Sequence, residues 1–439
     1  MGVLLDLVYL SGLGLASPWL AYKAVTRPRH VRGLRQRLGL EPPRPAAAER
    51  PTIWLHGVSV GEILAAKTFV KALGEAFPGF RTVLSTTTST GQEVARKTYP
   101  DHQVFYFPAD FSWSVRRVFE AIKPSLIVLV ELELWPNFLE HAQRAGVPVT
   151  VVNGRISARS SHRYGLAPGL VRRMFHRVAH YGVQTEDYAE RFRSLGVPDD
   201  RITVTGTMKY DAVRSSTDID VPVLRERLGL AADAPVLIGG STHPGEEAAL
   251  LAAFQTLRQT HDDLRLVLVP RHNERSDELE RELVAAGETV QRFSTLDKSD
   301  LDSSGRAPVI LVDVMGELGR LYGVADICFV GGSLIRHGGQ NILEPAGLGK
   351  PVVFGPHCFN FQESVDDLLA EQAAIQVADQ SELTRVLGEL LAEPERARSL
   401  GERALDCLER KRGATARTIE LLSKFTGQVP AGPQEELRL

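Results

Sequence analysis

The sequence predicts an α/β protein made of two doubly wound parallel sheets. Its 439 residues are too many for one ordinary domain, so two or three domains are expected. Strand-like apolar runs alternate with helical patterns from residue 51 to 212, and the alternation starts again at residue 235. Runs such as Leu126–Val130 are continuously apolar, which is typical of a buried parallel strand. We therefore predict two Rossmann-like domains, which would face each other across a cleft.

The chain divides into four segments. The apolar amino terminus and a basic arm occupy residues 1–40, and the first Rossmann-like domain covers residues 41–212. Residues 211–222 turn polar and lose their hydrophobic periodicity, so the linker is placed there. The second domain covers residues 213–425, and residues 426–439 form a tail.

The amino terminus combines an apolar stretch with a basic arm. Residues 3–22 are close to the roughly 20 apolar residues that span a bilayer, although Asp6 and Pro18 interrupt them. Residues 23–37 carry six Lys and Arg residues and no acid, a charge of +6. Since the net charge of the whole chain is −3, all other residues together carry −9. Three interpretations are open: a single span with a cytoplasmic body, a helix lying in the inner leaflet, or a helix packed on the body. We expect membrane association, with the basic arm on anionic lipid at the cytoplasmic face.

Charge and cysteine usage exclude several classes of protein. A mildly acidic body with one basic arm is not typical of general nucleic-acid binding, and it indicates a local anionic partner instead. The three cysteines, Cys328, Cys358 and Cys407, are far apart and show no CxxC spacing. We therefore predict no structural zinc site and no disulfide framework, as in a reducing compartment.

The motif HGVSVGE, His56 to Glu62, is the leading candidate for catalysis in the first domain. It follows an apolar run and precedes a helical pattern, so it reads as a strand–loop–helix junction. Glu62 then lies near the helix start at the carboxyl edge of a strand, where open α/β sheets bind ligands. A carboxylate there can serve as a general base. Alternatively, Glu62 only complements the helix dipole.

Two more loops of this domain carry charged candidates. Glu131 and Glu133 leave the end of a buried strand on the same face, so at least one of them can point into the cleft. Alternatively, one caps the next helix or pairs with Arg155. Lys209 follows another strand in a loop that starts with Gly206, a position that suits neutralisation of a phosphate or carboxylate. The alternative is a solvated surface lysine.

The second domain carries the features of a nucleotide site. Small residues in the segment 239–247 precede a long helix and predict a backbone anion site, but no GxxxxGK[ST] motif marks a P-loop. Arg271 follows a strand directly and suits a base or a phosphate. Asn341 can cap the helix that follows the glycine pair at Gly338. Glu344 then either completes a capping box or accepts hydrogen bonds from both hydroxyls of a ribose.

Seven motifs together resemble one family. They are HGVSVGE at His56, ELELWPN at Glu131, the loop 206–211, GSTHPGEE at Gly240, PRH at Pro270, MGEL at Met315 and GGQNILEP at Gly338. In this order they resemble the 3-deoxy-D-manno-octulosonic acid (Kdo) transferases of lipopolysaccharide assembly. The resemblance runs through nearly the whole chain, including the apolar amino terminus and the GLRQRLG run at Gly33. Gly57 departs from the pattern, where another small residue is expected.

The resemblance implies a fold, a reaction and a set of site residues. The fold is GT-B, and the reaction transfers Kdo from CMP-Kdo to the lipid A precursor lipid IVA at the cytoplasmic face of the inner membrane. No metal and no cofactor are implied, since CMP-Kdo is a substrate. Glu62 would be the base, Glu131 and Lys209 would stabilise the transition state, and Glu133 is the alternative carboxylate. The implied CMP site comprises Pro270, Arg271, Met315, Gly316, Glu317, Asn341, Ile342, Leu343 and Glu344.

A single displacement would invert the anomeric carbon, because the base activates the acceptor on one face. One alternative is another GT-B transferase, or an epimerase, that uses a UDP-sugar. A second alternative is a membrane-associated scaffold that has lost catalysis.

Overall fold

Every strand pairing among the described residues is parallel, and the strands form two sheets of seven. The computed structural model describes residues 5–12, 14, 33–44, 50–165, 168–213, 219–296 and 307–427. Two compact units result, one from residues 1–212 together with 411–439, and one from residues 213–410. The predicted α/β class with two doubly wound sheets is confirmed.

The first sheet has the strand order β3-β2-β1-β4-β5-β6-β7. Its strands are β1 (Thr52–His56), β2 (Arg81–Thr86), β3 (Gln103–Tyr106), β4 (Pro124–Val130), β5 (Val149–Gly154), β6 (His180–Val183) and β7 (Ile202–Val204). The helical elements of this part are Leu34–Arg37, Val60–Ala65, Lys67–Ala76, Ser89–Thr98, Ser112–Ile122, Pro136–Arg144, Ala158–Gly165, Pro168–Phe175, Glu186–Ser194 and the 3₁₀ turn Asp199–Arg201.

The second sheet has the strand order β10-β11-β9-β8-β12-β13-β14. Its strands are β8 (Val236–Thr242), β9 (Arg265–Pro270), β10 (Val290–Arg292), β11 (Val309–Leu311), β12 (Ile327–Val330), β13 (Val352–Phe354) and β14 (Ile375–Gln376). The helices are Val221–Arg227, Glu246–Leu257, Ser276–Ala285, Leu318–Leu321, Leu343–Ala346, Gln362–Ala370, Gln380–Ala392 and Pro394–Lys411, with 3₁₀ turns at Asn273–Arg275, Phe293–Thr295 and Tyr322–Val324.

Alternate residues of each central strand feed two separate hydrophobic cores. Along β4, Ile127 and Leu129 join one core, and Leu126 and Val128 join the other. Because side chains alternate along a strand, helices must cover both faces of the sheet. Each sheet has one topological switch point, where the strand order reverses. It lies between β1 and β4 in the first sheet and between β8 and β12 in the second. Loops at the carboxyl ends of these strand pairs lie next to each other, which is where doubly wound sheets bind ligands.

The last helix, Ala414–Thr426, packs on the first unit. Leu421 and Leu422 lie in the core that contains Ile53 of β1. Asp211 fixes the start of this helix, since its carboxylate accepts hydrogen bonds from Gly413 N at 2.8 Å and Thr415 N at 2.5 Å. The predicted second domain, 213–425, is therefore wrong at its carboxyl end, because the chain returns to the first unit from residue 411.

The described part of the amino-terminal helix contacts the body through Asp6, which is buried. Its carboxylate accepts a hydrogen bond from Ser112 N at 2.9 Å and another from Asn137 Nδ2 at 3.1 Å. Leu7 and Val8 are 57% and 59% exposed on the same helix. Packing on the body, the interpretation that we did not favour, therefore holds for residues 5–12, with apolar side chains still facing outward. Within the described residues, no helix has the length and apolar character to cross a bilayer.

Asp110 gives this contact a pH dependence. Its carboxylate accepts hydrogen bonds from Tyr9 Oη at 3.0 Å and Phe138 N at 2.8 Å. Burial raises the pKa of Asp110 from 3.8 to about 6, and the nearby charge of Asp6 adds to the rise. The folded state thus favours the protonated acid. The stabilisation is complete below pH 3.8 and is lost as the pH rises through about 6.

We expect the free energy of unfolding to fall more steeply over this pH interval in the wild type than in Asp110→Asn. Urea unfolding at a series of pH values measures both slopes. Equal slopes would show that Asp110 does not titrate in the folded protein.

Candidate active site

The carboxyl ends of β1 and β4 bring three carboxylates together. The sheet register pairs His56 with Leu129, so the loop after β1 lies beside the loop after β4. Burial raises the pKa of Glu133, and the negative charges of Glu62 and Glu131 raise it further. Carboxylates influence one another in this way only at short range. The predicted candidates Glu62 and Glu131 therefore share a site, together with Glu133.

Glu62 forms a capping box with Ser59 at the start of the helix Val60–Ala65. Its Oε1 accepts hydrogen bonds from Ser59 Oγ at 2.7 Å and Ser59 N at 3.3 Å, and its Oε2 accepts one from Val58 N at 2.7 Å. Glu62 thus lies in the first turn of the helix, as the structural alternative expected, and it caps that helix as well. A carboxylate offers about four lone-pair sites, so one site on Oε2 stays open for a substrate hydroxyl. Capping consequently orients Glu62 without preventing it from acting as a base.

Glu131 pairs with Arg155, as the structural alternative expected. Arg155 Nε donates to Glu131 Oε2 at 2.9 Å, and the Glu131 side chain is 21% exposed. Glu131 adopts a left-handed backbone conformation with φ of 62°, which is rare for a residue with a side chain. Such conformations cluster at functional sites. Glu133 is held differently, because its Oε2 accepts a hydrogen bond from Trp135 Nε1 at 3.0 Å.

His56, the first residue of the HGVSVGE motif, supports the loop that follows β1. Its Nδ1 lies 3.0 Å from the carbonyl oxygen of Ser85, and its ring stacks on Phe107 at 3.9 Å between centroids. Complete burial lowers the pKa of His56 to about 3, so the ring is neutral. His56 therefore fixes the end of β1 and does not exchange protons near neutral pH.

Lys209 lies at the same edge of the sheet but three strands away from β4. It is partly buried in the loop after β7, and its Nζ lies 5.2 Å from the ring centroid of Tyr210. The loop is anchored from both sides, since Met208 N donates to Asn153 Oδ1 and Asp211 caps the last helix. The described contacts thus place Lys209 in a loop that is anchored at both ends.

In the second unit, the residues implied for CMP binding gather at one edge of the sheet. The strands β11, β9, β8 and β12 are neighbours in that order. Pro270 ends β9, the segment 315–317 follows β11, and the segment 341–344 follows β12. Met315 is 69% exposed, and Gly316 has φ of +90°, which favours glycine. The nine residues that the resemblance implied thus lie at the end of β9 and in the segments that follow β11 and β12, at one edge of the sheet.

Asn341 orients Glu344 within this group. Asn341 Oδ1 accepts a hydrogen bond from Leu343 N at 3.2 Å, which forms a turn just before the helix Leu343–Ala346. The N-cap residue of that helix is Ile342, without a side-chain cap bond, so the prediction of Asn341 as the N-cap is wrong. Asn341 Nδ2 donates to Glu344 Oε1 at 3.1 Å. The Glu344 residue is partly exposed, which suits an acceptor of ribose hydroxyls.

Glu246 corrects the predicted backbone anion site. Its fully buried carboxylate accepts four backbone hydrogen bonds, from His243 N, Gly332 N, Ser333 N and Leu334 N, at 2.6–3.0 Å. One N–H group of the predicted anion-binding segment 239–247, that of His243, is therefore paired with an anion of the chain itself, as are three N–H groups of the loop after β12. Glu246 joins the loop after β8 to the loop after β12.

Three histidines that sequence reasoning did not select lie around Glu246. His243 is 4% exposed, and its ring lies 3.9 Å from the ring of His337 and 5.9 Å from that of His272. Burial lowers the pKa of His243 to about 4, and the positive charges of His337, His272, Arg271 and Arg275 lower it further. A signal was present in the sequence, because the loops after β8, β9 and β12 each contain one histidine.

Within the described residues, no group of three His, Cys, Asp or Glu side chains could hold a metal ion. The three cysteines are buried and free.

Comparisons with known proteins agree on one family. Residues 32–212 match the family model of 3-deoxy-D-manno-octulosonic-acid transferase (kdotransferase). The chain is 33% identical over 406 residues to the 3-deoxy-D-manno-octulosonic acid transferase of Haemophilus influenzae, which covers 92% of this chain and 93% of that protein. It is also 33% identical over 404 residues to the Bordetella pertussis enzyme of the same name, with coverage of 89% and 90%.

A solved structure extends the likeness to the fold. The UDP-GlcNAc 2-epimerase from Neisseria meningitidis bound to UDP-GlcNAc is 14% identical, with a TM-score of 0.56, and covers 85% of this chain and 100% of that chain. At this identity the likeness shows the GT-B-like fold and nothing of the reaction. The sequence relatives carry the assignment: the chain belongs to the family of 3-deoxy-D-manno-octulosonic acid transferases, which are glycosyltransferases.

Proposed function

We propose that this protein is an inverting, metal-independent glycosyltransferase that moves Kdo from CMP-Kdo to lipid IVA, a lipid A precursor. The observation that carries the proposal is the geometry of Glu62. Its carboxylate is fixed by three hydrogen bonds, keeps one open lone-pair site and lies with Glu131 and Glu133 at the switch point of the first sheet. That arrangement suits a general base that must face a sugar hydroxyl.

The proposed reaction is a single displacement. Glu62 Oε2 takes the proton of the acceptor hydroxyl while that oxygen attacks the anomeric carbon of Kdo. The bond from this carbon to the phosphate oxygen breaks, and CMP leaves with the electron pair. Attack from the face opposite to CMP inverts the anomeric carbon. Lys209 offsets negative charge in the transition state, and Glu131 orients the reacting groups while Arg155 balances its charge.

The proposed donor site is the edge of the second sheet at which the nine implied residues gather. The loop at Gly316 allows close approach of a ligand, and Glu344 receives the ribose hydroxyls. Arg271 is exposed at this edge and supplies positive charge for the phosphate. CMP-Kdo is therefore a substrate held by side chains, and no cofactor takes part.

We further propose that the protein works at the cytoplasmic face of the inner membrane. Leu7, Val8 and Leu10 are exposed on a helix whose polar side docks on the body. A short helix with an exposed apolar side and a following basic arm suits contact with anionic lipid. The acceptor is itself an anionic lipid, so the same surface would bring enzyme and acceptor together.

Mass spectrometry of the reaction products tests the function. Purified full-length protein is incubated with CMP-Kdo and a tetraacylated lipid A precursor, with and without a chelator. We expect the acceptor to gain the mass of one or more Kdo units in both cases. Transfer from a UDP-sugar instead, or no product at all, would contradict the proposal, and loss of product with the chelator would contradict metal independence.

Glu344→Gln tests the ribose contact. Hydrogen bonds to a charged group contribute about 1.5–3 kcal/mol, so we expect CMP affinity to fall about 10- to 100-fold. Calorimetry with CMP and 2′-deoxy-CMP gives a control within one experiment. The wild type should prefer CMP, and the variant should bind both about equally. Undiminished preference for CMP in the variant would remove Glu344 from the ribose site.

A further inference from the structure

Glu246 limits which groups of the proposed donor site can bind the anions of the donor. A CMP-Kdo donor carries two negative groups close to the reacting carbon, the phosphodiester and the sugar carboxylate. Glu246 already accepts four backbone N–H groups at the carboxyl ends of β8 and β12, so these four groups cannot receive either anion. We therefore consider the side chains at this edge for binding the anions of the donor.

Cationic and neutral donor side chains converge at this edge from three loops. His243 follows β8, Arg271 and His272 follow β9, and His337 follows β12. Burial lowers the pKa of His243, and the positive charges of His337, His272, Arg271 and Arg275 lower it further. Like charges this close repel one another unless an anion lies among them. Two acids lie nearby, but the carboxylate of Glu246 is enclosed by backbone N–H groups, and that of Glu247 pairs with Arg275 at 3.3 Å.

The His243 ring is held in one orientation. Gln340 Nε2 donates to His243 Nε2 at 3.2 Å, so the proton of the neutral ring is assigned to Nδ1. With a pKa of about 4, His243 stays neutral at physiological pH. Its ring forms a flat surface beneath the exposed imidazole of His337, with 3.9 Å between the two centroids.

The loop that carries His337 is also ordered before any ligand binds. Asn360 N donates to Gly338 O at 2.9 Å, and Asn360 Nδ2 donates to His337 O at 3.3 Å. Gly338 has φ of +102°, and a Cβ there would lie 2.3 Å from Asn360 Nδ2. A backbone fixed in this way loses little entropy when an anion binds to His337.

We propose that His337 binds an anionic group of the sugar-nucleotide donor, with the Gln340–His243 pair as its positioning support. The inference rests on the proposed function and deepens it, since it assigns residues outside the nine implied ones. The anionic group is either the phosphodiester or the sugar carboxylate. The experiment distinguishes the two, because CMP carries the phosphate but not the sugar carboxylate.

The test compares His337→Ala with the wild type by calorimetry on cytidine and CMP, and by KM for CMP-Kdo. If His337 binds the phosphate, CMP affinity falls at least about tenfold while cytidine affinity is unchanged. If it binds the sugar carboxylate, both affinities are unchanged and KM for CMP-Kdo rises at least about tenfold. Unchanged CMP affinity together with unchanged KM would overturn the proposal.

Two further variants separate positioning from folding. Gln340→Ala should raise whichever constant His337→Ala raises, the dissociation constant of CMP or KM for CMP-Kdo, but by a smaller factor. It should leave kcat nearly unchanged, because it releases only the His243 ring. His261→Ala, which lies before β9 at the opposite edge of the sheet, should change neither constant. A fall in kcat alone in Gln340→Ala would contradict the positioning role. If the wild type transfers Kdo and His337→Ala keeps the wild-type CMP affinity and KM for CMP-Kdo, only this inference is wrong. If the wild type transfers no Kdo, the proposed function is wrong.

Discussion

Glu62→Gln is expected to reduce Kdo transfer by about 10²- to 10⁴-fold, the usual contribution of a general base. Glutamine keeps the shape and one acceptor oxygen of the side chain, so the capping box with Ser59 survives in part. CMP affinity should not change, because the donor residues belong to the other unit. Single-turnover rates with CMP-Kdo and a lipid A precursor measure the loss, and CMP calorimetry serves as the binding control.

Ser59→Ala is the matched control for the role of Glu62 in helix capping. It removes the hydroxyl that bonds both Glu62 N and Glu62 Oε1, and it leaves the carboxylate in place. We expect a loss of about 1 kcal/mol in the free energy of unfolding, with a change in rate far smaller than that of Glu62→Gln. If the two variants lose activity equally, Glu62 serves catalysis only through the loop that it caps.

Much of the fold could be predicted because its strands are long apolar runs buried on both faces. β4 is the plainest example, since all of its residues except Ser125 are buried. Two short strands at the edges, β10 and β14, carry no such signal. β10 has three partly buried residues, and β14 has one partly buried and one exposed residue, so neither shows a periodic pattern.

The return of the chain to the first unit could not be predicted from local pattern. The helix Ala414–Thr426 is amphipathic, and periodicity shows that it buries one face but not which sheet covers that face. Its place is decided by contacts across about 200 residues of sequence, such as the bond from Thr415 N to Asp211. Asp211 belonged to a motif that had been interpreted around Lys209, so its structural role was not considered.

The site shows a similar limit. Sequence position placed Glu62 and Glu131 after strand ends, and the structure has them there. Those ends define the edge where doubly wound sheets bind ligands. The partners of buried charges could not be predicted in the same way. Glu246 was counted as part of a ligand-binding loop, yet it supplies the anion for that loop. Sequence alone does not tell an internal carboxylate from a bound phosphate.

Glu246→Ala is expected to destabilise the second unit strongly. Removing the carboxylate leaves four buried N–H groups without an acceptor, and each unpaired buried group costs about 1–3 kcal/mol. Partial relaxation and water entry lower the sum, so we expect a loss of about 3–5 kcal/mol in the free energy of unfolding. Glu246→Gln keeps one acceptor oxygen and should lose about half as much. Urea unfolding followed by circular dichroism measures both.

Glu382→Ala provides the control for a glutamate at a helix start that is not buried. Glu382 Oε2 accepts one backbone hydrogen bond, from Ala378 N at 2.8 Å, and its side chain is 37% exposed. Water can replace the lost acceptor there, so the loss should stay near 1 kcal/mol. Because Glu246 joins the loops after β8 and β12, its removal should also weaken CMP binding, whereas Glu382→Ala should not. Equal losses of stability in the two variants would show that the four backbone bonds to Glu246 contribute no more than an ordinary helix cap.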